Sequence, residues 1–511
     1  MENTIENRDA KIKDWIIKTF WYNKINLLLL GIIIIALAIR VFFFIQTTSI
    51  GQTSWWDSAE YLAQGTHYAT GIPYVENPQR PPAFQYLIAL AILLGLNETW
   101  IIFLLSLLPS VIIVFLVFLL GKTMINTRVG LIASAFVATS WNFIFWSNRA
   151  QPDFLTLMFQ LLTIYYFWNM LKLQKIEDMN KKKIKYSILA GIFSAAGFYF
   201  KISALLIPIS LLVFLLLKDK LKMFVKKEYW IYAISFLAGL VPYFIWAYYK
   251  FGSILAFTTG YSNAIIGRMP FAFHTITFFQ VFGLGVMFLI FLAGLLLCLK
   301  ALMYLDILVK TDELDIRMFL LTLMIIVISF YTFYIRAIED RWIFILLPIM
   351  AIICGMILDK VYIWISEYGN WKWIIVIIIC GLLCWSSVEQ FNYSETIITG
   401  KMKSYSDVKL AAEWMRDNSL PTEIIMSISY PQTIFYSQRH VETYSSMSWL
   451  EFMEYVNENK PRYITFSNWE PYQPPWRNYL IYNTSLIIPV KEYIPTIENG
   501  QRYVVIFQFV N

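Results

Sequence analysis

Residues 25–45 read INLLLLGIIIIALAIRVFFFI, an apolar run in which Arg40 is the only charged residue. About twenty apolar residues span the hydrocarbon core of a bilayer as a helix, so this stretch predicts a membrane span. Similar runs recur through the first 388 of the 511 residues, and the sequence is 58% hydrophobic and 15% charged. Soluble domains carry about 25% charged residues. The composition therefore excludes a single soluble globule and predicts an α-helical polytopic membrane protein.

The apolar runs predict about eleven transmembrane helices. They are Ile25–Ile45, Trp100–Leu120, Val129–Trp146, Phe154–Leu171, Ser187–Phe200, Ser203–Leu217, Trp230–Tyr249, Ile276–Leu299, Met318–Tyr334, Trp342–Leu358 and Trp373–Val388. A further apolar stretch, Ala83–Leu96, is too short to cross a core about 30 Å thick comfortably. We expect it to form a re-entrant or surface helix.

The distribution of Lys and Arg predicts the orientation of the chain. With eleven alternating spans, the basic N-terminus and the basic loops 172–186 and 218–228 lie on one side, and the loops of the other side carry few basic residues. Because cytoplasmic loops are enriched in Lys and Arg, we expect a cytoplasmic N-terminus. The same placement explains the net charge of +7 without a nucleic-acid partner. The two basic loops flank residues 187–217, which therefore form a hairpin with its turn near Lys201, on the outer side.

The composition changes after Val388, where Asp, Glu, Asn, Ser and Pro become frequent and no later segment is apolar enough to span a membrane. We therefore divide the chain into a transmembrane domain, 1–388, whose first outer loop is 46–99, and an extracytoplasmic α/β domain, 389–511. Its pattern predicts helices at Asp407–Arg416 and Ser448–Asn459 and strands at Glu423–Ser429, Tyr463–Phe466 and Tyr503–Phe509. All four cysteines lie in apolar runs, so disulfides and thiolate metal sites are not expected.

The charged residues of the outer loops are the candidate functional site. The first loop supplies Asp57, Glu60 and Arg80, and later loops supply Arg149, Asp153, Lys201, Arg268, Glu339, Asp340 and Arg341. Charges held at a lipid boundary are costly and often functional. Most have a structural alternative: capping of a helix for Asp57 with Glu60 and for Asp153, contact with lipid phosphates for Arg80 and Lys201, and an interfacial ion cluster for Arg268, Glu339, Asp340 and Arg341. His67 is a lone histidine and a weak signal.

Several short motifs resemble one known family. Asp57 and Tyr61 in WWDSAEYL are followed by Gly71 and by Arg80 in NPQRPP, and the second outer loop carries NRAQPDF (148–154). Together with RAIEDRWIFILLP (336–348), they resemble the polyprenyl-phosphate-sugar-dependent glycosyltransferases of the GT-C fold. That group includes protein O-mannosyltransferases and the lipid A aminoarabinose transferase. The chain differs in having Ser58 where many members have a Glu directly after the Asp, and Arg80-Pro81 in place of Lys-Pro.

The resemblance implies a lipid-phosphate sugar donor, an acceptor hydroxyl on a lipid, glycan or protein, and a site at the extracytoplasmic membrane face. Asp57 is then the expected base, and Asp153 the second acidic residue of the site. Arg80, Lys201, Arg268 and Arg341 are expected to stabilise the leaving phosphate, and Glu60, Tyr61, Arg149 and Glu339 complete the expected substrate-binding set. One base and a direct displacement imply inversion at the anomeric carbon.

Two alternatives concern metals and transport. Asp57, Glu60 and Asp153 could bind a divalent cation, but the resembling mannosyltransferases imply no metal, and we expect no cofactor. A transporter or flippase of a lipid-linked sugar would place ionisable residues near the middle of the membrane. Here the spans are almost free of charge apart from Arg40 and the polar residues collect at one face, which favours the enzyme.

Overall fold

The computed structural model describes residues 24–510, except residues 50, 52, 55, 174–179, 259–285, 304–310, 336–338, 370–371, 471, 483–484 and 494–501. Within these ranges the first domain is helical. Its helices are α1 (Lys24–Ser49), α2 (Trp56–Thr70), α3 (Ala83–Leu93), α4 (Glu98–Met124), α5 (Thr127–Thr139), α6 (Trp141–Trp146), α7 (Asp153–Leu173), α8 (Asn180–Phe200), α9 (Leu206–Asp219), α10 (Lys227–Phe251), α11 (Val286–Met303), α12 (Thr311–Ser329), α13 (Leu346–Ser366) and α14 (Lys372–Lys401).

Eight helical segments in the described ranges are long and apolar enough to cross a membrane. They are Lys24–Ser49, Glu98–Met124, Asp153–Leu173, Ile202–Val225, Lys227–Phe251, Asp312–Tyr334, Leu346–Ser366 and Trp373–Lys401. The chain is thus a multi-pass membrane protein, while the number of eleven spans stays a prediction. The expected span Val129–Trp146 is divided into α5 and α6, and the segment expected at Ile276–Leu299 begins among residues that the structure does not describe.

Arg40 explains why the expected span Val129–Trp146 is interrupted. This fully buried side chain donates hydrogen bonds to the carbonyls of Ala138 (2.7 Å) and Val137 (3.4 Å), at the end of α5, and to Ser110 Oγ (2.9 Å). The last carbonyls of a helix have no partner within the helix, and inside a membrane they need another donor. Arg40 supplies it, and the chain turns at Ser140 before α6 begins.

Small residues bring the helices into close contact. Gly121 of α4 lies against Gly130 of α5, and a Cβ added at Gly130 would stand 2.6 Å from the carbonyl oxygen of Phe118. Interfaces between membrane helices favour such residues because the backbones can approach closely. Helix α8 packs against both α7 and α10, and α13 packs against both α5 and α11. The large buried core of the first domain lies among these helices.

The C-terminal residues form an α/β unit. Its helices are α15 (Ser406–Asp417), α16 (Tyr430–Ser437), α17 (Trp449–Asn459) and α18 (Arg477–Tyr482), and its strands are β1 (Ile424–Met426), β2 (His440–Glu442), β3 (Tyr463–Ser467), β4 (Ile487–Tyr493) and β5 (Val504–Phe509). The strands form a sheet of order β2-β1-β3-β5-β4, in which β1 is parallel to β2 and β3, and β5 is antiparallel to β3 and β4. Each element expected from the sequence is present, whereas α16, α18, β2 and β4 were not expected.

This C-terminal unit rests on the first outer loop. Tyr436 of α16 donates a hydrogen bond to Glu98 (2.9 Å), and its hydroxyl accepts one from the backbone N–H of Ser54 (3.0 Å). Apolar residues of α15, α16 and the sheet bury Ala63 of α2. Helix α2, which carries Asp57, is therefore held between the membrane helices and the sheet domain.

Candidate active site

Helix α2 and the turn after it bring the first-loop residues together. Asp57 lies in the first turn of α2. Gly71 follows the last residue of the helix with a φ of +78°, a conformation that glycine adopts readily and other residues rarely do. The chain reverses there, and the loop returns Arg80 to the start of α2.

Two arginines bind the carboxylate of Asp57. Arg80 Nη2 lies 3.1 Å from Oδ1, and Arg341 Nη2 is hydrogen-bonded to Oδ2. These contacts join the first outer loop to a residue 284 positions later in the chain. Burial by itself would raise the pKa of Asp57, but Arg341 and Arg80 together hold that pKa well below its usual range. Asp57 is therefore ionised at neutral pH, and its carboxylate contacts two arginines.

Arg80 has three further partners. It pairs with Glu60, its Nη1 donates to the backbone carbonyl of Asp57 (3.4 Å), and its guanidinium lies 4.5 Å from the ring centre of Tyr61. Tyr61 is buried and meets Phe84 of α3 edge to face at 5.3 Å. A guanidinium stacked on an aromatic ring is held in place. The short helix α3 thus supports the position of Arg80 through Tyr61.

The second acidic residue, Asp153, pairs with a lysine. It is the first residue of α7, it is buried, and its Oδ1 accepts a hydrogen bond from Lys201 Nζ at 2.6 Å. Its other oxygen, Oδ2, has no hydrogen-bond partner among the described residues. Lys201 lies at the turn between α8 and the 3-10 turn Ile202–Leu205, where the sequence predicted the hairpin to reverse.

The third group surrounds the 3-10 turn Asp340–Ile343. Arg341 is buried, donates to Glu339 (2.6 Å) and lies 4.9 Å from the ring centre of Trp146. The indole N–H of Trp146 donates to Asp340 (3.0 Å). Burial raises the pKa of Asp340 to about 6, although this hydrogen bond opposes the rise. Trp146 therefore contacts both Asp340 and Arg341 and restricts their side chains. Its sequence context did not suggest this role.

Arg149 contacts aromatic residues and is not among the residues that line the cavity described next. Arg149 is buried, with its guanidinium 3.8 Å from the ring centre of Phe145 and a hydrogen bond to the Phe145 carbonyl (2.6 Å). Burial, and then the nearby charge of Arg341, lower the pKa of Arg149 to about 9. It lies behind the site rather than in the cavity described next. Arg268 lies outside the described residues, so its expected role stays a prediction.

A cavity of about 550 Å³ connects these groups. Its polar end is lined by Asp57, Arg80, Asp153, Lys201 and Arg341. Its apolar side is lined by residues of α9 and of the π-helical turn after α12, among them Leu206, Ile209, Phe330, Tyr331 and Tyr334. Ile209 is 48% exposed and Tyr334 58% exposed, so this side leads to the outer surface of the helix bundle. The cavity joins a charged pocket to an exposed apolar surface of the helix bundle.

A π-helical turn at Phe330–Tyr334 shapes the apolar side. It follows α12, and three of its five residues line the cavity. Such turns are rare within helices and are frequent at functional sites. The sequence predicts a single membrane span at Met318–Tyr334, because no local pattern distinguishes a π turn from an α turn.

The carboxylates that could have bound a metal contact basic side chains. Asp57 and Glu60 both contact Arg80, and Asp153 contacts Lys201. Throughout the described ranges, no three His, Cys, Asp or Glu side chains are grouped as metal ligands. The expectation of a metal-independent enzyme stays a prediction.

Comparison with known proteins agrees with this architecture. Residues 79–246, which include Arg80, Asp153 and Lys201, match the family model for dolichyl-phosphate-mannose-protein mannosyltransferase. No sequence among the curated proteins matches the chain.

Two solved structures show the same fold at low sequence identity. ArnT from Cupriavidus metallidurans, bound to undecaprenyl phosphate, superposes with a TM-score of 0.63 over 93% of this chain and 98% of that one, at 12% identity. The oligosaccharyltransferase AglB from Archaeoglobus fulgidus, in complex with an inhibitory peptide and a dolichol-phosphate, gives a TM-score of 0.60 over 88% of this chain and 69% of that one, also at 12% identity. The expected GT-C fold is therefore confirmed. Residues 79–246 are thus similar to a mannosyltransferase family, and the chain shares the GT-C fold of ArnT and AglB.

Proposed function

We propose that the protein is an inverting transferase that moves one sugar from a polyprenyl-phosphate donor to an acceptor hydroxyl at the extracytoplasmic membrane face. The observation that carries the proposal is the cavity, because a single space joins two carboxylates and three cations to an apolar, lipid-facing side. A lipid-linked phosphate sugar has the same division of charge and apolar surface. The cavity volume of about 550 Å³ lies within the range typical of ligand pockets.

The cations provide the donor-phosphate site in this proposal. Arg80, Lys201 and Arg341 all line the polar end of the cavity. Arginine binds phosphate through two parallel N–H bonds, and lysine adds a point charge. As the bond between the anomeric carbon and the phosphate oxygen breaks, its electron pair moves to the phosphate, and these cations stabilise the growing charge. The lipid chain then lies along the side formed by Ile209 and Tyr334.

Asp57 is the proposed base. The acceptor oxygen attacks the anomeric carbon on the face opposite the phosphate, and its proton passes to the Asp57 carboxylate. In the donor-free arrangement Asp57 is a weak base, because Arg80 and Arg341 lower its pKa. A donor phosphate competes for the same two arginines. We infer that donor binding draws them away and raises the pKa of Asp57 at the moment when a base is needed.

Asp153 is proposed to position Lys201. Its short contact with Lys201 Nζ holds this cation at the cavity, and its unpartnered Oδ2 faces a buried environment.

A carrier or flippase is not favoured, because Arg40, the charged residue in the first span, donates to backbone carbonyls and thus has a structural role.

The experiment compares two aspartate variants in a transfer assay. Purified protein is incubated with a panel of polyprenyl-phosphate sugars, and release of the lipid phosphate is measured; the family match makes the mannosyl donor the first to test. We expect Asp57→Asn to lower transfer by at least about hundredfold, the usual contribution of a positioned base. Asp153→Asn should weaken donor binding through Lys201.

Asp417→Asn is the matched control, since that side chain is 63% exposed and lies in the C-terminal unit. The thermal transition of each variant should lie above the assay temperature, so that a loss of transfer does not reflect unfolding. Transfer at the wild-type rate in Asp57→Asn would remove Asp57 from the role of base. Equal rates of lipid-phosphate release with and without acceptor would argue against transfer altogether.

Protease accessibility of the C-terminal unit in sealed vesicles tests the proposed orientation.

A further inference from the structure

A second cavity, of about 560 Å³, lies at the other end of the same helices. Three helices reach both cavities: α7 from Asp153 to Lys172, α9 from Leu206 to Lys218, and α12 with its π turn from Tyr331 back to Arg317. An α-helix rises 1.5 Å per residue, so Asp153 and Lys172 are about 28 Å apart along α7. That separation matches the thickness of the hydrocarbon core, about 30 Å. The second cavity therefore lies at the headgroup level of the opposite leaflet.

Two buried N–H donors in the wall of this cavity have no acceptor in the part of the chain that the structure describes. They are Trp168 Nε1 and Arg317 Nε, and each residue is only 4% exposed. An unsatisfied buried donor is costly, and a ligand oxygen can remove that cost. Because both groups donate and one carries a positive charge, the missing partner is an oxyanion such as phosphate.

The remaining charges of the wall are mixed. Lys172, Lys218 and Lys360 line the cavity together with Asp312, Glu313, Asp315 and Asp359. Several of these are already paired: Lys218 contacts Asp315, and Arg317 Nη2 contacts Glu313 at 2.8 Å. A ligand with only negative charge would meet four carboxylates. A headgroup that carries both a phosphate and an ammonium group is complementary to both signs.

Apolar residues complete the lining, among them Ile125, Leu171, Met356 and Ile363. They offer a surface for acyl chains next to the charged groups. We propose that this cavity binds one zwitterionic phospholipid of the leaflet opposite the candidate active site, with its phosphate at Trp168 and Arg317 and its ammonium at the carboxylates. This site is separate from the donor cavity, and the proposal does not depend on the transfer reaction.

The test measures lipid binding to the purified, delipidated full-length protein by native mass spectrometry. The probes are phosphatidylethanolamine, phosphatidylglycerol and inorganic phosphate. We expect one tightly bound phosphatidylethanolamine per chain. Trp168→Phe removes the donor but keeps a ring, and should weaken this binding about tenfold, as expected for one hydrogen bond to a charged group. Arg317→Gln should weaken it at least as much.

Trp364→Phe is the control, because this residue of α13 is 60% exposed and does not line the cavity. It should bind the lipid like the wild type. Wild-type affinity in Trp168→Phe would overturn the proposal, even if Arg317→Gln fails to fold. Equal affinity for phosphatidylglycerol would overturn the zwitterionic headgroup. Equal affinity for inorganic phosphate would overturn a lipid as the source of the phosphate.

Discussion

At the scale of single residues, Asp340 provides a prediction about pH. Burial raises its pKa to about 6, above the ordinary value of 3.8. A raised carboxyl pKa means that the folded state holds the proton more tightly, so the resulting stability is present at low pH and is lost as pH rises through 6. Asp340→Asn cannot ionise. We expect the thermal transition of the wild type to fall between about pH 4 and 6 more than that of the variant.

The comparison needs full melting curves at each pH. Asp417→Asn, an exposed change, should keep the pH dependence of the wild type. Parallel curves for the wild type and Asp340→Asn would show that Asp340 does not titrate in this range.

Arg40 provides a second prediction at this scale. Arg40→Met keeps an apolar stem but leaves the carbonyls of Val137 and Ala138 without their donor. Each unsatisfied buried carbonyl costs about 1–3 kcal/mol. We expect a fall of several degrees in the apparent thermal transition of the detergent-solubilised protein. Arg416→Met, in an exposed position, should change little, and an unchanged transition in Arg40→Met would contradict the structural role.

At the scale of elements, the crossing of α4 and α5 depends on Gly130. A methyl group there would stand 2.6 Å from a backbone carbonyl, which cannot move away as a side chain could. Gly130→Ala should therefore lower the thermal transition. Gly31→Ala is the matched control, because nothing lies within 4 Å of the added atom and alanine is favoured over glycine in a helix by about 1 kcal/mol. Equal thermal transitions in the two variants would mean that α4 and α5 can move apart to admit the methyl group without a loss of stability.

Much of the layout of elements is predictable from the sequence. Hydropathy located the long helices, and the basic loops on either side of residues 187–217 correctly placed a turn at Lys201. The interruption after Thr139 was not predicted, because the relevant donor, Arg40, lies 98 residues earlier in the chain than Ala138. The helix that begins at Lys372 also continues to Lys401, beyond the last apolar residues. Periodicity shows where a helix forms and does not show which distant side chain ends it.

The candidate site was predictable as a set of residues but not as an arrangement. Scarce charges in outer loops pointed to Asp57, Arg80, Lys201 and Arg341, and the structure brings all four into one cavity. Their pairing depends on tertiary contacts: Arg341 reaches Asp57, whereas Asp153 reaches Lys201. The ordering role of Trp146 was missed because a buried indole partner cannot be distinguished from an interfacial aromatic residue in sequence.

At the scale of the whole molecule, the contact of Tyr436 with Glu98 and Ser54 holds the C-terminal unit on the first loop. Tyr436→Phe removes the hydroxyl and leaves the ring. We expect faster amide hydrogen exchange in residues 53–70, because this contact restrains the segment before α2, while exchange in β3 stays unchanged. Tyr482→Phe, at an 85% exposed position, is the control. Wild-type exchange in Tyr436→Phe would show that apolar contacts alone hold the unit in place.

The same contact has a consequence for biosynthesis. The backbone N–H of Ser54 and the hydroxyl of Tyr436 are separated by 382 positions. Ribosomes add about 5–20 residues per second. The C-terminal unit, which covers the first loop, is therefore synthesised about 20–80 s after that loop. During that interval helix α2 lacks the surface that buries Ala63. A nascent chain is therefore exposed to proteases and aggregation at this loop until synthesis is nearly finished, and a chaperone acting there would have that interval in which to bind.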